Sequence, residues 1–107
     1  MGEPALDLSE IMDLYKVDAR VMVDKMRAAW ARWEDVAKGG PARQELRKLS
    51  HQLRGSGRTY GYRSVSHCSK AIEGIITRMD KARLQADDRV REALRKQIER
   101  LATSFAA

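Results

Sequence analysis

Cysteine is almost missing from this chain, and the single Cys68 has no second thiol to pair with. An internal disulfide and a cysteine-based zinc site are thereby excluded, which favours a reducing interior over a small stapled secreted scaffold. No apolar run approaches the ~20 residues that cross a bilayer. The start Met1-Gly2-Glu3-Pro4 lacks the basic-then-apolar pattern of a signal peptide, so the expected location is the cytoplasm with no membrane partner. Proline occurs only at Pro4 and Pro41, which leaves long stretches free of helix breakers. Aromatic residues make up only 6%, too few to interleave a stacking platform with the cations.

Hydrophobic residues (43%) and charge are present in quantity: 21 Lys+Arg stand against 15 Asp+Glu over 107 residues, a net charge of +6. The length suits one domain spanning 1–107 with one modest core. The excess of cations raises a nucleic-acid partner as an early candidate. Its location narrows that reading, because residues 41–63 hold six basic side chains and one acidic one, whereas residues 1–40 hold six and eight.

The apolar pattern has a helical period and never alternates, which predicts an all-α protein. Asp7 followed by Glu10 makes a capping-box-like start. Met12, Tyr15, Ala19, Met22, Met26, Trp30, Trp33 and Ala37 then recur at steps of three or four as far as Lys38-Gly39. This first region reads as one helix, or as two with a break near Lys16–Asp18 and a short extra N-terminal helix. Gly39-Gly40-Pro41 separates it from a second helix, with Pro41 suited to the first helical position. Leu46, Leu49, Leu53 and Tyr60 share one face of that second helix, and Gly61 is its natural left-handed cap. Ser64 is placed to cap a third helix with the stripe Val65, Cys68, Ile72, Ile75 or Ile76, and Met79. After Gln85-Ala86, Asp87 or Asp88 is placed to cap a fourth with Val90, Leu94, Ile98, Leu101 and Phe105 facing inward, and Glu92–Lys96 as an i, i+4 pair. Four amphipathic helices on short loops predict an antiparallel four-helix bundle.

At 100° per residue, His51 projects roughly 170° from the apolar stripe of its helix and therefore faces solvent. Arg47, Arg54, Gly55 and Arg58 fall within roughly 60° of it. A histidine titrates near neutrality and offers a neutral nitrogen nucleophile at cellular pH. Guanidinium groups hold a phosphoryl group through paired hydrogen bonds. Gly55, one turn beyond His51, costs a helix about 1 kcal/mol relative to alanine, and bare access to the imidazole is the compensating benefit. Gly57 adds a second penalty that needs its own reason.

The run His51-Gln52-Leu53-Arg54-Gly55-Ser56, followed by Gly61, resembles the signature of histidine-containing phosphotransfer (HPt) domains: a histidine, a leucine-like residue, Lys or Arg, Gly, then Ser or Ala, with a later Gly. The resemblance implies a helical bundle that takes a phosphoryl group from the aspartate of a response-regulator receiver domain and passes it to another receiver. A sensor or hybrid histidine kinase would stand upstream. On this match His51 is the phosphorylated residue, Arg54 neutralises phosphoryl charge, Gly55 gives clearance, Ser56 is a further motif position set among the phosphoryl-supporting residues, and Leu53 and Gly61 fill the structural motif positions. Arg47 and Arg58 join as further basic neighbours, and Arg58 and Gly57, less typical of the family, are assigned to partner choice. Arg54 stands where lysine is more usual, keeping the charge with a different hydrogen-bonding geometry. The resemblance also implies a carrier without an ATP site, not an enzyme, with no cofactor of its own, the magnesium belonging to the receiver. A monomer is expected.

Other residues invite blander readings. His67 is expected at the surface and has no acidic or cysteine partner at i+3 or i+4, so no metal site is expected. Cys68 reads as a small core residue. Trp30 and Trp33 read as packing residues, one of them partly exposed. The rival function, a small basic helical nucleic-acid-binding protein using Arg43, Arg47, Lys48, Arg54, Arg58 and Arg63, predicts steeply salt-dependent affinity. Two mid-helix glycines argue against it. A kinase dimerisation bundle also exposes a histidine, but usually beside an acidic residue, and the neighbours here are Ser50 and Gln52.

Overall fold

The computed structural model describes residues 7–33, 39–82 and 88–105, and these form four α-helices with no strand among them. α1 runs Leu8–Arg32, α2 Gly39–Thr59, α3 Arg63–Ala82 and α4 Asp88–Ser104. At the start of α1, Asp7 sits in extended backbone and its carboxylate accepts the Glu10 N–H at 2.8 Å, which satisfies one orphan donor of the first turn. α1 is continuous through Lys16–Asp18, and no separate short helix precedes it among the described residues.

The buried stripe of α1 differs from the expected one. Val23 and Ala29 are buried beside Tyr15, Ala19, Met26 and Trp33, while Met12, Met22 and Trp30 lie half-buried at the edge. α1 packs against both α2 and α4, so the face it buries is the one between those two neighbours. Trp30 and Trp33 meet edge to face at 5.7 Å, the former partly exposed as expected. Ala37 and Lys38 lie outside the described residues.

α2 starts at Gly39, two residues before the expected Pro41. Pro41 still lies in the first turn, where its missing N–H has no intrahelical partner to lose. The other end of α2 follows expectation. Gly61 adopts φ +82°, the Tyr62 N–H donates to the Gly57 carbonyl at 2.8 Å, and the Gly61 N–H to the Arg58 carbonyl at 3.4 Å. This paired arrangement closes the last turn and leads the chain directly into α3. For that reason α3 begins at Arg63, and Ser64 is not its cap. The Tyr62 carbonyl accepts the Ser66 N–H at 3.1 Å, and the Ser64 hydroxyl meets that of Ser104 at 3.3 Å. Asp88 is the first residue of α4, and the alternative cap Asp87 lies outside the described residues with Gln85 and Ala86. On α4, Glu92 makes its close ion pair with Arg95 at i, i+3, while Lys96, the expected i, i+4 partner, acts on it as a weaker neighbouring charge. The shorter reach and two guanidinium hydrogen bonds favour Arg95.

Cross-helix contacts establish the antiparallel order. The end of α1 meets the start of α2 through Arg32 and Glu45, and the start of α1 meets the end of α2 through Tyr15 and Ser56. Arg20 and Arg27 of α1 reach the Phe105 carbonyl and Glu99 respectively, which runs α4 opposite to α1 and closes the ring. Inside it, Met26, Leu46, Leu53, Ile72, Ile76, Leu94, Leu101 and Phe105 are almost wholly buried. Each such side chain contributes on the order of 1.5–3 kcal/mol by leaving water. Cys68 is buried among them, as its place on the stripe predicts.

Candidate functional site

α2 packs against α3 at Gly57, which is buried, as are Ser50 of α2, whose hydroxyl returns to the Leu46 carbonyl at 2.7 Å, and Ser69 of α3. A Cβ on Gly57 would lie 3.1 Å from both the Ser66 nitrogen and Val65 Cγ1. Gly57 therefore serves helix packing, and its assignment to partner choice is corrected. From this contact the antiparallel register follows down α3 at heptad spacing. The Ser66 hydroxyl donates to the Arg54 carbonyl at 3.1 Å, Glu73 reaches His51 and Arg54, and Asp80 reaches Arg43 and Gln44.

His51 leaves 72% of its side chain exposed. Its Nδ1 lies 2.9 Å from Glu73 Oε1. An ionised carboxylate only accepts, so in this contact Nδ1 is the donor, and whenever the ring is neutral its lone pair is then on Nε2. Glu73 is largely shielded, 18% exposed, and its other oxygen lies 3.5 Å from Arg54 Nη1, at the outer limit of a hydrogen bond. To the cations expected around His51 the structure adds an acid that the helical wheel did not include: the side chain bonded to the imidazole is Glu73 of α3. Sequence reading missed Glu73, although a signal existed. His51 and Glu73 are equidistant from Tyr62 in the turn joining two antiparallel helices, and Glu73 is the sole acid of α3 before Asp80.

The other expected site residues separate into two groups. Arg54, Gly55 and Arg58 are exposed on the same helix as His51, and a Cβ on Gly55 would meet nothing within 4 Å. Arg47 is exposed too, but its Nε donates to Gln44 at 3.1 Å. Gln44, Arg47, Lys48, His51, Gln52 and Glu73 line an open groove beside the imidazole. In the second group Leu53 is fully buried in the core, and Gly61 makes the turn. The Ser56 hydroxyl lies 3.0 Å from that of Tyr15, so Ser56 ties α2 to α1 while His51 bonds α3. Its assignment to phosphoryl support is therefore corrected to this helix-to-helix bond. Burial pushes the Tyr15 phenol above its ordinary value, partly offset by the Ser56 bond. Tyr15 also stacks on Tyr60, ring centres 4.4 Å apart.

His67 is exposed, as expected, and among the described residues no group of three or more His, Cys, Asp or Glu stands together as metal ligands. No helix among them is long and apolar enough to cross a membrane.

Fold and site together define an antiparallel helical bundle that presents a single hydrogen-bonded imidazole to solvent from the middle of its second helix. The Hpt domain model matches residues 10–104, nearly the whole chain, and the chain belongs to that family. At the family level this is the domain of histidine phosphotransfer in two-component relays, a phosphocarrier module that works with receiver domains and histidine kinases. No curated protein and no solved structure matches the chain.

Proposed function

We propose that this chain is a phosphorelay carrier that accepts a phosphoryl group on His51 from the aspartyl phosphate of one response-regulator receiver and passes it to the aspartate of another. The observation that carries this reading is the exposed imidazole of His51, held at Nδ1, with open space at Gly55 one turn away. A receiver must bring its phosphorylated aspartate within bonding distance of a ring nitrogen. A missing side chain at Gly55 lets its surface do so.

In this role Arg54, 45% exposed and on the same face, neutralises phosphoryl oxygens, with Arg58 and Arg47 adding to the local positive potential. Leu53, Ser56 and Gly61 hold the helix in place from the core and from the turn. The chain works as a monomer in the cytoplasm, binds no nucleic acid, and brings no cofactor of its own, the magnesium residing on the receiver.

Incubation with a receiver phosphorylated by acetyl phosphate or by its kinase tests the proposal. Transfer of an acid-labile, base-stable phosphoryl group to the wild type but not to His51→Gln supports it. No transfer, or equal labelling of the variant, overturns it.

A further inference from the structure

α3 carries a bare glycine of its own. Gly74 lies near the middle of the helix, where a Cβ would meet nothing within 4 Å, so neither packing nor a turn accounts for a residue that costs a helix about 1 kcal/mol relative to alanine. Lys70 stands one turn before it and Arg78 one turn after it, both exposed. The two acids of α3 are turned the other way: Glu73 bonds His51, and Asp80 pairs with Arg43 of α2. Among the described residues no acid pairs with Lys70 or Arg78. Both line an open groove with Gly74, Arg54 and Glu73, so the groove begins at the histidine site and runs outward across α3.

We propose that Lys70, Gly74 and Arg78 are specificity determinants of the receiver interaction. They admit a receiver whose edge beside the phosphorylated aspartate carries an acidic segment, and they act on docking, not on the transfer itself; this rests on the phosphocarrier reading above.

A docked partner is large enough to reach this groove. Even a weak, transient interface covers on the order of 500 Å² of each protein, a patch about 25 Å across. Neighbouring helix axes stand only about 8–10 Å apart, so a receiver centred on His51 covers a second helix. The imidazole leans toward α3, whose Glu73 it bonds, and Gly74 is the next residue. There no side chain holds the partner off. Lys70 and Arg78, two turns and about 12 Å apart along the helix, mark where its carboxylates sit. The half-buried Ala71 and Ile75 give the groove an apolar wall, which suits the edge of a protein better than a phosphate backbone.

The test measures transfer from a receiver phosphorylated by acetyl phosphate, over a range of receiver concentrations, to wild type, Lys70→Glu, Arg78→Glu and Gly74→Leu. Arg89→Glu, at an exposed position of α4, is a control with the same change in charge. Thermal melts confirm folding, and Gly74→Leu should melt no lower than the wild type, since leucine is the better helix former and enters open space. The half-saturating receiver concentration should rise about five- to tenfold in each groove variant while the limiting rate holds, and Arg89→Glu should stay within about twofold of the wild type. At about 500 mM salt the gap should close for the two charge reversals and persist for Gly74→Leu, whose obstacle is steric. Half-saturation unchanged in all three groove variants, or shifted as far by Arg89→Glu, overturns the proposal. So does a fall in the limiting rate alone, which would place these residues in the transfer step. Phosphoramidate, a small phosphoryl donor that needs no docked protein, labels an accessible histidine independently. A wild type labelled by phosphoramidate but by no receiver overturns the carrier reading, and the groove's role with it.

Discussion

Gly55 and Gly57, two residues apart on α2, meet opposite surroundings: a Cβ on Gly55 would touch nothing within 4 Å, whereas one on Gly57 would press on the Ser66 nitrogen and Val65 Cγ1 at 3.1 Å. The two glycines carry a similar helix-propensity penalty for different reasons. One keeps a surface bare and the other seats α3 against α2.

Alanine substitution separates them. Gly55→Ala gains helix propensity with no clash and should raise stability by about 0.5–1 kcal/mol. Gly57→Ala gains the same propensity but pushes against backbone and against the fully buried Val65, where overpacking costs about 1–3 kcal/mol. Its net effect is destabilising by about 1 kcal/mol, a fall of about 4–8 °C in Tm for a domain of this size. Thermal melts of the two variants should therefore move in opposite directions. A bulkier Gly55→Leu should melt close to the wild type while slowing phosphotransfer, since it fills the space that a receiver needs.

At Gly61 the requirement is conformational, because φ is +82° and a Cβ meets nothing within 4 Å. Gly61→Ala should cost about 1–2 kcal/mol through left-handed backbone strain alone. Gly61→Asn, which tolerates that region better, should recover part of the loss. Urea titration of the pair measures both values, and equal losses would point to space and not to backbone.

Much of this architecture could be read from local signals. Asp7 caps α1, Gly61 ends α2, and the period of three or four places Leu46, Leu53, Ile72 and Ile98 inside, because capping and amphipathicity are decided within a few residues. What stayed hidden depends on the register between helices. Glu73 reaches His51 only because Gly57 and the turn at Gly61 fix how α3 slides along α2, and no helical wheel of α2 contains α3. The same blindness made Ser56 look like a phosphoryl neighbour when its hydroxyl meets Tyr15. On α1, Leu14, Val17 and Val21 stay exposed although their residue types suggest burial.

The alkaline limb of stability should carry the signature of two buried groups. Burial raises the Tyr15 phenol above its ordinary 10.0 and the Cys68 thiol above 9.0. Below those unfolded values both groups are neutral in either state, and their contribution is fully present. As pH rises past them, the unfolded chain releases protons that the folded chain still holds. Stability then falls, and continues to fall until the folded groups ionise. Denaturation midpoints should decline from about pH 9 upward. Tyr15→Phe and Cys68→Ala should each flatten that decline. At neutral pH Tyr15→Phe should cost about 0.5–1.5 kcal/mol for the lost bond to Ser56.

The distribution of positive charge leads to a prediction about salt that separates a phosphoryl carrier from a nucleic-acid binder. Of the cations on α2, Arg43 is tied to Asp80 at 3.0 Å, so the outer face keeps Arg47, Lys48, Arg54 and Arg58 on the helix of His51, with Arg54 in long contact with Glu73. That is a compact field suited to one phosphoryl group and an acidic pocket. Nucleic-acid affinity instead grows with the number of phosphates neutralised, each adding about −0.9 to the log–log salt slope. Raising salt from about 50 to 500 mM shortens the Debye length from about 14 to 4 Å and should slow phosphotransfer several-fold, chiefly through slower encounter. Arg54→Ala should lower the transfer rate by about one to two orders of magnitude and flatten its salt dependence, because this guanidinium acts on both the encounter and the charge passing through the transition state. Arg54→Lys should keep most of the salt dependence while losing part of the rate, since it keeps the charge but not the forked geometry. Stability should move by no more than about 0.5 kcal/mol in either variant, as Arg54 is exposed and its contact with Glu73 is long. Stopped transfer assays at two salt concentrations, with a gel-shift titration of duplex DNA alongside, decide the matter. Steeply salt-dependent DNA binding with salt-independent transfer would favour the nucleic-acid reading, whereas the compact field around His51 predicts the reverse.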